Sequence, residues 1–276
     1  MYPWYYVWSP RYRIFHEVMQ FAVKDISGVS VRPICLPQNI FTPRVEHKHF
    51  FTGIGIKIYC MLKSLKAHPN EHIIFSDVDL ILPDKKLAEK LKEYEKNDIT
   101  AMIDKDGCED YNIGFMLIKS TPEVIQFFEK VLHRIHKEVL LDQDVFNEEI
   151  KNFSGTHGKF SRKDFIQSNM IRKDIWDAGN YSVIQCLYAA EDPAEVMCGK
   201  LASVIYFYNI TNLLQFIDRE VAEKLQEYLQ YQNPNHYLVS VDLNAIYGNL
   251  NTMYGSKEEK PEEKVESSTE QLPKDA

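Results

Sequence analysis

The two acids with the clearest chemical meaning in this sequence are Asp77 and Asp79, in the run Phe75-Ser76-Asp77-Val78-Asp79. They follow a short apolar segment that has the pattern of a β-strand. Ligand sites in open α/β sheets lie beyond the carboxyl ends of strands, so a strand here carries both carboxylates to that edge. Carboxylates at this spacing can bind one hard divalent ion, Mg²⁺ or Mn²⁺, which in turn can neutralise a departing diphosphate. The alternative is a turn whose acids merely cap the next segment.

Two later segments add polar residues of the same kind. The first is Tyr111-Asn112-Ile113-Gly114-Phe115-Met116, and the second is Leu141-Asp142-Gln143-Asp144-Val145-Phe146-Asn147. Both have a structural alternative: Asp142 could be the N-cap of a helix over 143–150, Asn112 a turn residue, and Gly114 a site of close packing. The spacing alone leaves these alternatives open.

In this order, the segments resemble the nucleotide-diphospho-sugar transferases, glycosyltransferases of the type-A fold. Two earlier features complete the resemblance, which extends from Trp4 to Ile150. A first strand ends in Val7, Trp8 and Ser9, and a lysine, Lys57, lies on a helix ahead of the acidic strand. The resemblance implies that these four residues bind the nucleotide-sugar donor.

The resemblance also implies roles for the acids. Asp79 is similar to the acid that binds the metal directly, whereas Asp77 corresponds to one nearer the ribose that reaches the metal partly through water. The resemblance implies Mn²⁺ or Mg²⁺ as the cofactor. Asp142 and Gln143 are similar to the catalytic pair beside the sugar and the acceptor.

Asn112 and Gly114 resemble the pair that lines the donor sugar, an amide for the hydroxyls and a missing side chain that leaves room. Many relatives supply a third metal ligand from a C-terminal histidine in a loop with glycine and lysine. The only comparable stretch here is Gly155-Thr156-His157-Gly158-Lys159, so His157 is the candidate, although it lies unusually close in sequence to Asp142.

Predicted strands and helices alternate, which indicates an α/β fold with a mostly parallel central sheet flanked by helices. We expect a single glycosyltransferase domain over 1–255, with a nucleotide-sugar-binding part at about 1–118 and an acceptor-side part at about 119–255. The last stretch, 256–276, has seven acids and four lysines and is predicted to be a disordered acidic tail. Strands are predicted at 4–8, 29–36, 72–77, 99–103, 111–118, 181–186 and 202–208, helices at 11–24, 54–65, 120–139, from 142, and at 213–231, and loops at 37–52 and 152–164.

Composition excludes several classes of protein. With 32 Lys plus Arg against 40 Asp plus Glu, the net charge is −8, which argues against a nucleic-acid partner. The N-terminal apolar run is too short for a signal peptide or an anchor, and no segment has the ~18 apolar residues of a membrane span. Five scattered cysteines favour free thiols. We therefore expect a soluble, cytoplasmic protein.

The leading hypothesis is a metal-dependent glycosyltransferase. It would move a sugar from a nucleotide-diphosphate donor, most simply a UDP-sugar, to an acceptor hydroxyl on a glycan or glycoprotein. One alternative is a non-catalytic glycan-binding or scaffold protein of the same fold. Another is a phosphohydrolase with Asp77 as nucleophile and Asp79 as acid, but no Gly-Asp-x-x-x-Asp motif follows and Leu80-Ile81 does not supply the Thr or Val that this class requires.

Overall fold

The computed structural model describes residues 1–36, 48–104, 107–168, 181–186 and 193–208. Within these ranges the chain forms a six-stranded sheet with helices on both faces and a second, three-stranded sheet. The elements, in chain order, are β1 Tyr2–Trp8, α1 Arg13–Val23, β2 Val29–Cys35, α2 Lys48–Lys66, β3 His72–Ser76, β4 Leu80–Ile81, α3 Leu87–Leu91, β5 Ile99–Ile103, β6 Tyr111–Lys119, α4 Pro122–Glu138, α5 Asp142–Glu149, β7 His157–Lys159, β8 Phe165–Ser168, β9 Val183–Cys186 and α6 Pro193–Tyr208.

The large sheet has the strand order β2-β1-β3-β6-β5-β7. The pairs β1–β2, β1–β3 and β5–β7 are parallel, whereas β6 is antiparallel to both of its neighbours. Five strands therefore run in one direction and β6 runs against them. As a result, the carboxyl ends of β1, β3 and β5 and the amino end of β6 meet at one edge of the sheet.

The aromatic strand β1 is buried because it lies inside this sheet. Trp4 and Tyr6 pack into the core on one face, which also includes α1, and Tyr5 and Val7 pack into the core on the other face, against α2, α4 and α5. Successive side chains of a strand point to opposite faces, so a strand covered on both faces has apolar residues at every position.

The predicted start of the fourth helix is confirmed. Thr121 is the N-cap of α4, its hydroxyl accepts a hydrogen bond from the backbone N–H of Val124, and Pro122 is the first helical residue. The start of α1 differs from the expectation: Ser9 makes no capping hydrogen bond, and a 3₁₀ turn at Pro10–Tyr12 precedes the helix.

Three predictions of secondary structure are wrong within the described ranges. The segment 202–208, predicted as a strand, is the end of helix α6, because its buried residues continue a helical face that begins at Val196. The predicted loop 152–164 contains the edge strand β7, which pairs through its backbone with Ile99–Ala101. Helix α2 begins at Lys48, inside the predicted loop 37–52.

The rest of that loop, the predicted helix at 213–231 and the predicted tail at 256–276 lie outside the described residues. Strand β9 confirms the strand expected at 181–186, although it begins two residues later, at Val183. None of the helices in the described ranges combines the length and the apolar character that crossing a membrane requires.

Candidate active site

A cavity of about 270 Å³ opens at the sheet edge where the strand ends meet. Its wall brings together three carboxylates and two ammonium groups within a ring of aromatic and aliphatic side chains. The lining residues are Val7, Trp8, Ser9, Tyr12, Ile54, Lys57, Asp77, Val78, Asp79, Asp142 and Lys200. Seven of the eleven residues predicted from the sequence are in this list, and Tyr12, Ile54, Val78 and Lys200 are additions.

Lys57 joins two of the three acids. Its Nζ lies 2.7 Å from Oδ1 of Asp77 and 3.3 Å from Oδ2 of Asp142. Burial alone would lower the pKa of Lys57, but the two carboxylates outweigh it and raise that pKa above its ordinary value. Helix α2 thus holds a charged ammonium group between the carboxyl end of β3 and the start of α5.

The third acid is paired with a lysine from much later in the chain. The Nζ of Lys200, on α6, lies 2.5 Å from Oδ2 of Asp79, and both side chains are nearly buried. Burial would lower the pKa of Lys200, but the charge of Asp79 raises it. Sequence reasoning missed Lys200, since 121 residues separate it from Asp79 and no motif connects them.

The second oxygen of Asp77 is also occupied. Oδ2 accepts a hydrogen bond of 2.9 Å from Nε2 of Gln185, on β9. Burial raises the pKa of Asp77, the charge of Lys57 opposes that rise, and the neighbouring charge of Asp79 adds to it. Gln185 was not among the predicted residues either.

Asn112 and Gln143 do not line the cavity, and their side chains bond to each other. Nδ2 of Asn112 donates to Oε1 of Gln143 at 3.0 Å, and the backbone N–H of Gly114 donates to Oδ1 of Asn112 at 2.8 Å. Nε2 of Gln143 donates to Asp104 at 2.9 Å. Both amides therefore fasten α5 to β6 and β5, and in this arrangement the Asn112 amide is committed to protein groups.

Asp142 is the first residue of α5, because Leu141 occupies the N-cap position without a side-chain hydrogen bond. Asp142 is therefore not the N-cap of this helix, which was the structural alternative considered for it. Its Oδ1 accepts from the backbone N–H of Gln143 at 3.1 Å, and its Oδ2 faces Lys57 across the cavity.

The aromatic wall of the cavity is preorganised. The Trp8 ring stacks on His16 with centroids 4.2 Å apart and the planes 7° from parallel. Next to it, Ser9 is fully buried, and its hydroxyl has no partner within the described part of the chain. A stacked indole beside a buried, unused hydroxyl can bind a flat heteroaromatic ring with polar edges.

His157 does not line the cavity with Asp77 and Asp79. It lies on the edge strand β7, paired with Ile99 at the opposite end of β5, and its Nδ1 is 2.7 Å from the hydroxyl of Tyr111. The reason is the short connection after α5, which returns the chain directly to the outer edge of the sheet. His157 is therefore an exposed residue of that edge, held by the Tyr111 hydroxyl and not by the carboxylates.

The carboxylates fit a hard cation in one respect. Oδ1 of Asp79 is buried and has no partner among the described residues, which leaves an anionic oxygen with its full capacity to accept. Within the same ranges, no three His, Cys, Asp or Glu side chains are close enough together to hold a metal ion. A cation here would need further oxygens, such as those of a diphosphate.

This fold is shared by solved glycosyltransferases. A glycosyltransferase involved in the glycosylation of the major capsid of PBCV-1 matches with a TM-score of 0.50 at 8% identity, over 76% of this chain and 100% of its own. The galactosyltransferase LgtC matches with a TM-score of 0.48 at 16% identity, over 75% and 94% of the two chains. GlyE from Streptococcus pneumoniae TIGR4 matches with a TM-score of 0.44 at 14% identity, over 70% and 56%. The match at a TM-score of 0.50, together with the six-stranded sheet between helices, shows that the fold is that of the type-A glycosyltransferases.

Residues 67–183 match the family model described as nucleotide-diphospho-sugar transferase. This match confirms the resemblance predicted from the sequence and, with it, the predicted enzyme class, a glycosyltransferase. The matched segment contains Asp77, Asp79, Asn112, Gly114 and Asp142. A search of curated protein sequences finds no match.

Proposed function

We propose that this protein transfers a sugar from a UDP-sugar to an acceptor hydroxyl, on a glycan or glycoprotein, with the help of Mn²⁺ or Mg²⁺. The observation that carries the proposal is the convergence of Asp77, Asp79, Asp142, Lys57 and Lys200 in one cavity at the carboxyl edge of the sheet. A nucleotide diphosphate needs cationic groups for its phosphates and an aromatic surface for its base, and this cavity has both.

The donor would lie along the cavity with its base at the aromatic end. The free face of Trp8 supports stacking of the base, since His16 already covers the other face. The buried hydroxyl of Ser9 lies next to Trp8 and can satisfy a polar edge of the base. Asp77, which keeps 31% of its side-chain surface exposed, can accept from a ribose hydroxyl.

At the diphosphate, the acid that would hold the divalent ion is Asp79, through its unpartnered Oδ1. When bound, such an ion neutralises the charge that develops on the departing diphosphate. The ammonium group of Lys200 would then exchange its partner, from Oδ2 of Asp79 to a phosphate oxygen. Its raised pKa keeps it charged for that contact.

At the sugar, Asp142 supplies a negative charge near the reacting carbon. Lys57 fixes the direction of this carboxylate, and the Asn112–Gln143 hydrogen bond fixes the start of α5 that carries it. A preorganised carboxylate in this position stabilises positive character at the anomeric carbon as its bond to the diphosphate breaks.

A screen of nucleotides by thermal shift, with and without Mn²⁺, tests the proposal. UDP and UDP-sugars with Mn²⁺ should raise the melting temperature more than ADP or GDP. The shift should be easy to measure, because a ligand at 100 times its Kd stabilises a protein by about 2.7 kcal/mol. Release of UDP from the stabilising UDP-sugar should follow when acceptor glycans are added. If no nucleotide or nucleotide sugar shifts the melting temperature with either ion, the proposal fails.

Lys200→Met should change metal and nucleotide affinity in opposite directions. Mn²⁺ alone should bind about tenfold more tightly, because the ion no longer competes with an ammonium group for Asp79, while UDP without metal should bind about tenfold more weakly. Hydrogen bonds between charged groups contribute about 1.5–3 kcal/mol, and about 1.4 kcal/mol is tenfold in affinity. Calorimetry measures both values.

The control for this change is Lys66→Met, which removes an exposed ion pair with Glu129 outside the cavity and should alter neither affinity. Weaker Mn²⁺ binding by Lys200→Met would show that this lysine helps to build the cation site, in contradiction to the exchange described above.

A further inference from the structure

Gln185 is a buried glutamine with a single described partner. It lies on β9 of the small sheet, 3% exposed, and its Nε2 donates to Oδ2 of Asp77. A carboxylate only accepts hydrogen bonds, so the nitrogen of the amide must face Asp77 and its oxygen must face away. That oxygen has no partner in the part of the chain that the structure describes.

The amide of Gln185 occupies the space that Gly114 leaves empty. A Cβ on Gly114 would lie 1.9 Å from Nε2 and 2.4 Å from Oε1 of Gln185. Any side chain at position 114 would therefore push the amide off Asp77. Gly114 also contacts Asp77 directly, because its carbonyl oxygen accepts a hydrogen bond of 2.8 Å from the backbone N–H of Asp77.

Two groups together set the orientation of the Asp77 carboxylate. Lys57 holds Oδ1 and Gln185 holds Oδ2, so the plane of the carboxylate is fixed at both oxygens. Without the amide, the side chain would keep only the lysine and could rotate about its terminal bond. Partners that orient an acidic ligand in this way are typically worth about 10- to 100-fold in metal affinity or activity.

We propose that Gln185 is a positioning residue of the nucleotide-diphosphate site, and that Gly114 is required as glycine to house this glutamine. The proposal rests on the function proposed above. It gives β9, which shares no motif with the Asp77–Asp79 segment, a direct part in binding. It also reassigns the space beside Gly114 from the donor sugar to a protein side chain.

Gln185→Met tests the first half, since methionine keeps the length and volume but cannot donate to Asp77. The affinity for UDP in the presence of Mn²⁺, measured by calorimetry, should fall about 10- to 100-fold. The matched control is Gln126→Met on the exposed face of α4, which should leave that affinity unchanged. An unchanged affinity in Gln185→Met would overturn the proposal.

Gly114→Ala tests the second half by comparing two ligands. If the added methyl displaces Gln185, the affinities for UDP and for the UDP-sugar should fall by the same factor. If the glycine instead makes room for the sugar, only the UDP-sugar should be weakened, and the proposal is wrong. The double variant Gly114→Ala/Gln185→Ala should bind UDP no more weakly than Gln185→Ala alone, because the clash has been removed.

The same variants have a readout that does not depend on nucleotide binding. Gly114→Ala should lower the melting temperature in the wild-type background and much less in the Gln185→Ala background. Equal decreases in the two backgrounds would contradict the contact between these residues. If this coupling is present but wild-type protein binds no UDP, then the proposed function fails while the contact stands.

Discussion

Asp142→Asn is expected to lower kcat for sugar transfer by about 10²–10³, or about 2.7–4 kcal/mol of transition-state stabilisation. Asparagine keeps an oxygen that accepts the backbone N–H of Gln143, so the start of α5 is retained. What is lost is the negative charge facing the reacting sugar and one of the two carboxylates around Lys57. Steady-state kinetics with a saturating UDP-sugar donor measures the effect.

The matched control for this prediction is Asp144→Asn. Asp144 lies in the same first turn of α5 but is exposed and does not line the cavity. Both variants lose a similar interaction with the helix dipole, about 0.3–1 kcal/mol, so any difference in kcat comes from the cavity. Equal kcat values for the two variants would restrict Asp142 to a structural role.

Lys57→Met is expected to destabilise the folded protein. Removing one partner of a buried ion pair typically costs about 3–5 kcal/mol, because a charge stays buried without compensation. Here we expect about 2–3 kcal/mol, since water reaches Asp77, whose side chain is 31% exposed. Urea unfolding followed by circular dichroism measures the change in the free energy of unfolding.

Lys63→Met on the same helix is the control, because Lys63 is exposed and should change the free energy of unfolding by less than about 0.5 kcal/mol. If Lys57→Met were as stable as this control, the lysine would not hold Asp77 and Asp142 together. Transfer activity should also be lost in Lys57→Met, since both carboxylates lose the group that orients them.

The sequence was sufficient to predict the sheet that carries the site. The strands of this sheet that border the site are short, apolar and bounded by polar residues, namely β1, β3, β5 and β6. The motifs lie directly at the ends or beginnings of these strands. Their order along the chain was therefore enough to place Asp77, Asp79 and Trp8 together. The start of α4 was equally predictable, because an N-cap threonine followed by proline, here Thr121 and Pro122, is a local signal for a helix start.

The site residues that sequence reasoning missed depend on contacts between distant segments. Lys200 and Gln185 reach Asp79 and Asp77 from α6 and β9, 121 and 108 residues further along the chain. Neither has a local signature, and the α6 segment was itself misread as a strand at 202–208 because its apolar end is rich in β-branched and aromatic residues. His157 had the right chemistry in its own loop, but pairing with β5 places it at another edge of the sheet.

The central claim is that Asp79 holds a divalent ion which binds the donor's diphosphate. The most direct measurement is calorimetry of UDP binding with and without Mn²⁺, for the wild-type protein and for Asp79→Asn. The account predicts that Mn²⁺ tightens UDP binding by the wild-type protein and has no effect on Asp79→Asn, measured well below the melting temperature of the variant, which should be lower because the nearly buried Lys200 loses its carboxylate partner. Identical UDP affinity of the wild-type protein with and without Mn²⁺ would contradict it.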